Sequence, residues 1–231
     1  YGTIQSALFT LLAVYATSMN FTILEISIVT FLLAVSGAIA QFPIGKISDM
    51  YDRRKVIVFS TFGAAIFSIF AILVSRQMYL PGSLATSKTW FYIFFILFSF
   101  CSLPMFSLIL AHTNDYISKD KFVAAGAGLQ FAFGLGAMSG PFLCSIFMDL
   151  VGSNGFFVFL FFFHCIIGFF GIYRMKVRQS VDNPDSQFVA MPQTITPAGI
   201  ELNPTTEHIE EPYSDKVLSL IHISEPTRPL D

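Results

Sequence analysis

One short segment combines the residue types that form ion pairs between helix ends. Gly45 is followed by Asp49, then by Asp52, and directly afterwards by Arg53 and Arg54. Arg53 and Arg54 lie four and five residues beyond Asp49, so one of the two guanidinium groups can pair with its carboxylate across a helix turn. The carboxylate of Asp49 can also cap or face the N-terminus of a helix. An exposed pair contributes under about 1 kcal/mol, so we expect several pairs to act together as a latch that a modest helix tilt can break.

A second polar cluster ends a long uncharged stretch. It consists of His112, Asn114 and Asp115. Two interpretations stand: the cluster forms part of an inner gate, or it simply ends a helix.

Uncharged polar side chains inside other uncharged stretches are candidates for contact with a solute. These candidates are Gln5, Tyr15, Gln41, Ser102 and Gln130. A polar group in an apolar medium needs a partner, so packing between helices is the alternative interpretation for each. His164 also lies deep in such a stretch and could relay protons, but its Phe-rich surroundings favour a neutral, packed imidazole. No Asp, Glu, Lys or Arg lies at the centre of a stretch. We therefore expect any proton-coupling residue to lie in another part of the protein.

Motifs for enzymatic chemistry are missing from the sequence. It contains no CxxC, HExxH or Walker pattern. Cys101, Cys144 and Cys165 fall inside uncharged stretches, where cysteine behaves as a small apolar residue. We predict no catalytic residue, no metal, no cofactor and no enzymatic activity.

Long uncharged stretches must position these residues. Of the 231 residues, 54% are hydrophobic and 12% are charged, with a mean hydropathy of +0.67. Six stretches carry no charge: 1–24, 26–45, 56–75, 89–114, 122–148 and 150–173. About 20 apolar residues are needed to cross the hydrocarbon core of a bilayer as a helix. Six such stretches favour six transmembrane helices over the alternative, a soluble Phe-rich core. This composition also excludes a disordered chain and a disulfide scaffold, and the net charge of −2 gives no support for nucleic-acid binding.

The charges between these stretches predict an orientation. Nine basic residues follow the second, fourth and sixth stretches, whereas only Arg76 and Lys88 lie on the opposite side. The positive-inside rule then places the nine, and the C-terminus, in the cytoplasm. We predict a multi-pass protein of the bacterial inner membrane, in contact with the lipid bilayer.

Small residues and prolines mark two of the predicted helices. The fifth stretch carries a small residue at every fourth position, including Gly128, Gly136 and Gly140, and such a stripe lets helices pack closely. The alternative to static packing is a sliding contact. Pro141 should bend this helix or interrupt its hydrogen bonds, and Pro104 should form a kink or a gate in the fourth helix.

The C-terminal part differs from the rest of the chain. Residues 1–178 form the predicted bundle, and residues 179–217 read as a polar, Pro-punctuated, disordered cytoplasmic tail. Residues 218–231 resemble translated sequencing-adapter DNA and are interpreted as a scar. Since the chain opens on Tyr1, already inside an apolar stretch, we expect it to be a fragment.

The spacing G-x-x-x-D-x-x-x-R-R from Gly45 to Arg54 resembles the signature loop of the major facilitator superfamily. Residues 1–178 resemble the second half of that fold, helices 7 to 12, and the segments 41–54, 112–115 and 134–141 are similar to its YcaD-like bacterial branch. Met50 and Asp52 depart from the general loop, which has Arg and Gly at these positions.

This resemblance implies an all-α membrane protein in which six transmembrane helices form one half of the fold. It implies a secondary transporter that moves a small solute by alternating access and needs a missing N-terminal half. Its helices 7 and 10 face the cavity, which favours Gln5 and Ser102 as solute contacts. The alternative is a non-transporting scaffold or receptor with the same fold.

Overall fold

A computed structural model of the chain describes residues 1–78, 84–118, 121–178 and 188–190. Apart from residues 188–190, the predicted tail and scar lie outside this described part. Seven helices are present in it, and they are α1 Gly2–Ser18, α2 Ile23–Met50, α3 Arg53–Gln77, α4 Leu84–Ser102, α5 Met105–Asn114, α6 Phe122–Val151 and α7 Gly155–Val177.

Most of these helices have the length and composition of membrane spans. The five candidate spans are Ile23–Met50, Arg53–Gln77, Thr86–Asn114, Phe122–Val151 and Gly155–Val177. The third of them contains both α4 and α5. α1 is equally apolar but has only 17 residues. The described chain is therefore an all-α membrane protein, as predicted, with five spans of full length and one shorter apolar helix.

The ends of the spans gather at two ends of the bundle. The end of α2, the start of α3 and the ends of α5 and α7 meet at one of them, where Arg53 pairs with Asp115 and Arg54 bonds to Arg178. We call this the latch end. The opposite end is closed by a Lys88–Glu25 ion pair with an N–O distance of 2.6 Å. Glu25 also completes the capping box of α2 with Thr22.

Aromatic side chains fill the core between α1, α4 and α7. The ring of Tyr15 stacks on that of Phe156 at a centroid distance of 5.1 Å and meets Phe157 edge-on at 5.1 Å. Phe91 and Phe95 extend the cluster along α4. Such contacts contribute about 0.5–1.5 kcal/mol per pair beyond the area they bury. The Phe-rich composition thus serves packing inside the bundle.

A break between α4 and α5 divides the fourth predicted helix. α4 ends at Ser102 and α5 begins at Met105, with Pro104 as its N-cap. Pro104 has no N–H to continue the helical ladder. The hydroxyl of Tyr1 donates to the carbonyl oxygens of Ser102 at 2.9 Å and Leu103 at 3.3 Å. α1 thereby satisfies backbone acceptors at the break. Pro141, in contrast, lies within α6, which continues to Val151.

The small-residue stripe of α6 faces α1 over part of its length. A Cβ atom at Gly136 would approach the backbone nitrogen of Thr3 to 3.0 Å, and one at Gly140 would overlap Thr3 and Ser6. At Gly128 a Cβ atom would meet no described atom within 4 Å. Close packing of the two helices therefore rests on Gly136 and Gly140.

Candidate functional site

The predicted latch segment forms the junction between α2 and α3. Asp49 lies in the last turn of α2, and Asp52 is the N-cap of α3, its side chain accepting a hydrogen bond from the backbone N–H of Arg54. Only Tyr51 and Asp52 separate the two helices. Because the connection is so short, both carboxylates and both arginines are held close together.

Arg53 connects three helices at this junction. Its Nη2 lies 2.8 Å from Oδ1 of Asp49, and its Nη1 lies 2.9 Å from Oδ1 of Asp115, directly after α5. Only 7% of the Arg53 surface is exposed. Burial of a charged guanidinium is costly unless carboxylates pair with it, and here two carboxylates provide that pairing. The residues predicted as latch and as inner gate thus meet in one cluster through Asp115.

Arg54 has a separate partner. Its Nη2 and Nε atoms contact the two oxygens of Asp52 at 2.7 and 3.0 Å, a two-pronged geometry typical of strong Arg–carboxylate pairs. These hydrogen bonds from Arg54 hold the pKa of Asp52 below its usual range, although partial burial acts in the opposite direction. The Nη1 atom of Arg54 donates to the carbonyl oxygen of Arg178 at 2.7 Å and so joins α3 to the end of α7.

A segment beyond α7 also contacts the cluster, which the sequence analysis did not foresee. The backbone N–H of Phe188 donates to Oδ1 of Asp49 at 2.8 Å. The Phe188 ring packs with Ile44 and Val56, and a Cβ atom at Gly45 would overlap it. The structure thus places an aromatic ring against Gly45. The glycine itself was the available signal in the sequence, but it did not indicate what fills the space.

The other predicted gate residues surround Asp115. Nδ1 of His112 lies 3.9 Å from Oδ2 of Asp115, and the imidazole meets the ring of Tyr116 edge-on at 5.1 Å. Asn114 is buried, and its side-chain oxygen has no hydrogen-bond partner among the described residues. His112 and Asn114 therefore accompany the ion-pair cluster without extending it.

Ser102 and His164 form a fully buried polar pair beside the helix break. The Ser102 hydroxyl lies 3.0 Å from Nε2 of His164, while Nδ1 lies 2.7 Å from the carbonyl oxygen of Leu160. A carbonyl can only accept, so Nδ1 carries the proton and Nε2 accepts from the serine. The Nε2 atom thus joins α7 to Ser102 at the end of α4, whereas Nδ1 bonds within α7.

The remaining solute candidates are distributed over three helices. Gln5 on α1 is buried within the described chain, and neither of its amide atoms has a hydrogen-bond partner there. Gln41 on α2 is half-buried, and its carbonyl oxygen is likewise unpartnered. Tyr15 lies among the aromatic rings of the core, and Gln130 lies on α6. Their role as solute contacts stays a prediction.

No group of three metal-ligating side chains is found in the described ranges 1–78, 84–118, 121–178 and 188–190. The chemistry of the latch end is therefore that of ion pairs between helix ends, set in a bundle of membrane spans.

Comparison with known proteins identifies this architecture. The family profile of the Major Facilitator Superfamily matches residues 1–221. The chain therefore belongs to this superfamily of membrane transport proteins.

Several relatives carry names of the same type. The chain is 26% identical over 190 residues to the uncharacterized MFS-type transporter YE1530 of Yersinia enterocolitica. The matched region covers 82% of this chain and 44% of that protein. It is 26% identical over 165 residues to the uncharacterized MFS-type transporter YfkF of Bacillus subtilis, covering 69% of this chain and 38% of the relative. The chain is also 26% identical to the uncharacterized MFS-type transporter MJ1560 of Methanocaldococcus jannaschii, and the match covers 77% of this chain and 42% of that protein. The chain thus spans less than half the length of these relatives. No solved structure matches.

Proposed function

We propose that this bundle is one of the two six-helix units of a secondary transporter that moves a small solute by alternating access. The second unit would be the N-terminal half of a longer protein, since the relatives are more than twice as long as the matched region. The carrier would lie in the bacterial inner membrane with its latch end and C-terminus in the cytoplasm. Its coupling would be to a proton or solute gradient.

One observation carries this proposal: Arg53 bridges Asp49 and Asp115 at one end of the bundle. Alternating access needs contacts that hold helix ends together in one conformation and separate in the other. A guanidinium shared by two carboxylates suits this role, because a tilt of α5 relative to α3 would exchange a buried ion pair for hydrated charges. Static packing alone would not need a charge at a site with so little exposure.

The experiment uses a full-length carrier that contains this chain. The purified protein is first screened against a library of small solutes for a rise in its thermal unfolding midpoint, and each hit is then tested for saturable uptake into proteoliposomes. We expect at least one solute to stabilise the protein and to be taken up. Arg53→Gln should reduce uptake more than it reduces solute-induced stabilisation, whereas Lys55→Gln, an exposed neighbour, should leave both near the parent values.

Two outcomes would contradict the proposal. A solute that binds tightly without measurable flux would favour the receptor alternative. Saturable uptake by residues 1–178 in the absence of a second unit would show that one bundle is sufficient.

A further inference from the structure

A basic cleft opens at the latch end beside the ion-pair cluster. Its volume is about 240 Å³, and it lies between the start of α3, the end of α5 and the end of α7. The residues that line it are Arg54, His112, Thr113, Tyr116, Ile117, Arg174 and Arg178. The two interpretations of the latch end given above, a conformational lock and a gate, leave this cleft unused.

Positive charge in the cleft exceeds negative charge. Arg54 is paired with Asp52, so its charge is largely balanced. Arg174 and Arg178 form no ion pair with any carboxylate in the described part of the chain, and the guanidinium of Arg178 lies over the Tyr116 ring, 4.2 Å from its centroid. This contact orients Arg178 along the cleft wall. Two arginines at the end of α7 therefore line the same small space as His112 and Thr113.

We propose that this cleft binds a phosphate group. Guanidinium groups recognise phosphate through paired N–H donors. The cleft lies at helix ends, which in a membrane protein are level with lipid headgroups, and basic pockets between membrane helices suit anionic headgroups. A general excess of basic residues at one membrane face explains the number of charges. It does not explain why Arg174 and Arg178 share a cleft while Lys55 and Lys176, at the same end, lie outside it.

The phosphate could belong to a lipid headgroup or to a free ion, and two measurements distinguish these sources. In the first, native mass spectrometry of the detergent-purified chain measures binding of phosphatidylglycerol and of zwitterionic phosphatidylcholine. In the second, the thermal unfolding midpoint is measured in inorganic phosphate and in chloride at equal ionic strength.

Matched variants make the test specific. Arg174→Gln with Arg178→Gln removes both guanidinium groups, and Lys55→Gln with Lys176→Gln removes the same charge from exposed positions outside the cleft. We expect the arginine pair to weaken phosphatidylglycerol binding about tenfold, as expected for the loss of charge-assisted hydrogen bonds. The lysine pair should change binding less than twofold. Arg174→Lys with Arg178→Lys should keep intermediate affinity, because it keeps the charge and loses the paired donors.

Each result decides the proposal. If the arginine pair weakens phosphatidylglycerol binding and inorganic phosphate does not raise the unfolding midpoint of the parent chain, the cleft is a headgroup site. If inorganic phosphate raises that midpoint and the arginine pair removes the increase, the cleft is a site for the free ion. Equal losses in the two pairs would overturn the proposal in favour of diffuse charge. Undiminished phosphatidylglycerol binding by a folded arginine pair, or no binding of either probe to the parent chain, would also overturn it.

Discussion

Arg53 and Asp115 are in contact at 2.9 Å although 62 residues separate them in the chain. Their ion pair ties the start of α3 to the residue after α5. The same guanidinium holds Asp49 at the end of α2, so three helix ends depend on one side chain. This arrangement makes Arg53 the most consequential charge at the latch end.

Replacement of this arginine should destabilise the bundle. Arg53→Gln leaves two carboxylates near each other without a cation, and removal of one partner from a buried pair can cost about 3–5 kcal/mol. Because Asp49 is about one-third exposed at 35%, we expect a loss nearer to about 1–3 kcal/mol. A thiol-reactive dye that labels the span cysteines on unfolding can report the melting midpoint in detergent. Lys55→Gln is the control, and an equal effect of both substitutions would exclude a special role for Arg53.

The pH dependence of stability should reflect Asp52. Hydrogen bonds from Arg54 hold the pKa of Asp52 low in the folded protein, so its charged form stabilises the fold at any pH above the unfolded value of about 4. This contribution is lost as the pH falls through the folded pKa. Asp52→Asn should therefore lower the melting midpoint at pH 7, and the difference from the parent should shrink below about pH 4. Asp149→Asn, an exposed carboxylate at the opposite end, is the control. If the difference in melting midpoint between Asp52→Asn and the parent stays constant with pH, the charge of Asp52 is not the source of the stabilisation.

Contact between the tail and the latch should be measurable at Phe188. Asp49→Asn weakens the acceptor of its amide, and Gly45→Ala places a methyl group where its ring lies. Both changes should accelerate hydrogen exchange at the Phe188 amide. Asp52→Asn, which does not contact this amide, should leave its exchange rate unchanged. If the amide of the parent protein already exchanges at the rate of an unstructured peptide, this contact is not formed in solution.

The sequence was informative where a single local rule applies. Uncharged stretches of 20 or more residues predicted the helices. The spacing of four and five residues predicted that Arg53 or Arg54 pairs with Asp49, and in the structure the partner is Arg53. Contacts between distant segments could not be predicted in this way. Neither the partner of Arg53 after α5 nor the ring over Gly45 follows from spacing, because both depend on how the helices pack.

The solute candidates show the same limit. Polarity inside an apolar stretch selected Ser102 and Gln5, but polarity does not determine which neighbour a side chain meets. Ser102 contacts His164, and Gln5 is buried within the bundle. Their assignment to a solute site remains a prediction.

The buried pair of Ser102 and His164 should show energetic coupling. Ser102→Ala leaves Nε2 of His164 without a donor, and His164→Phe leaves the serine hydroxyl without this acceptor. A buried group left unpaired costs about 1–3 kcal/mol, whereas removal of both partners is cheaper. The double variant should therefore be more stable than the sum of the single losses predicts, by about 1 kcal/mol. Ser99→Ala is the control, since Ser99 bonds to its own helix at Phe95. Strict additivity would mean that the pair contributes nothing as a pair.

Alanine substitutions along the small-residue stripe of α6 should change the stability of the protein in opposite directions. Gly140→Ala introduces a methyl group that overlaps Thr3 and Ser6 of α1, and overpacking of this kind costs about 1–3 kcal/mol. Gly128→Ala meets no described atom within 4 Å and gains about 1 kcal/mol of helix propensity. We therefore expect Gly140→Ala to lower the melting midpoint in detergent and Gly128→Ala to preserve or raise it. Gly136→Ala, with a contact of 3.0 Å, should lie between them. Equal destabilisation at Gly128 and Gly140 would show that the whole stripe is packed against a neighbour, and the division between its two parts would then be wrong.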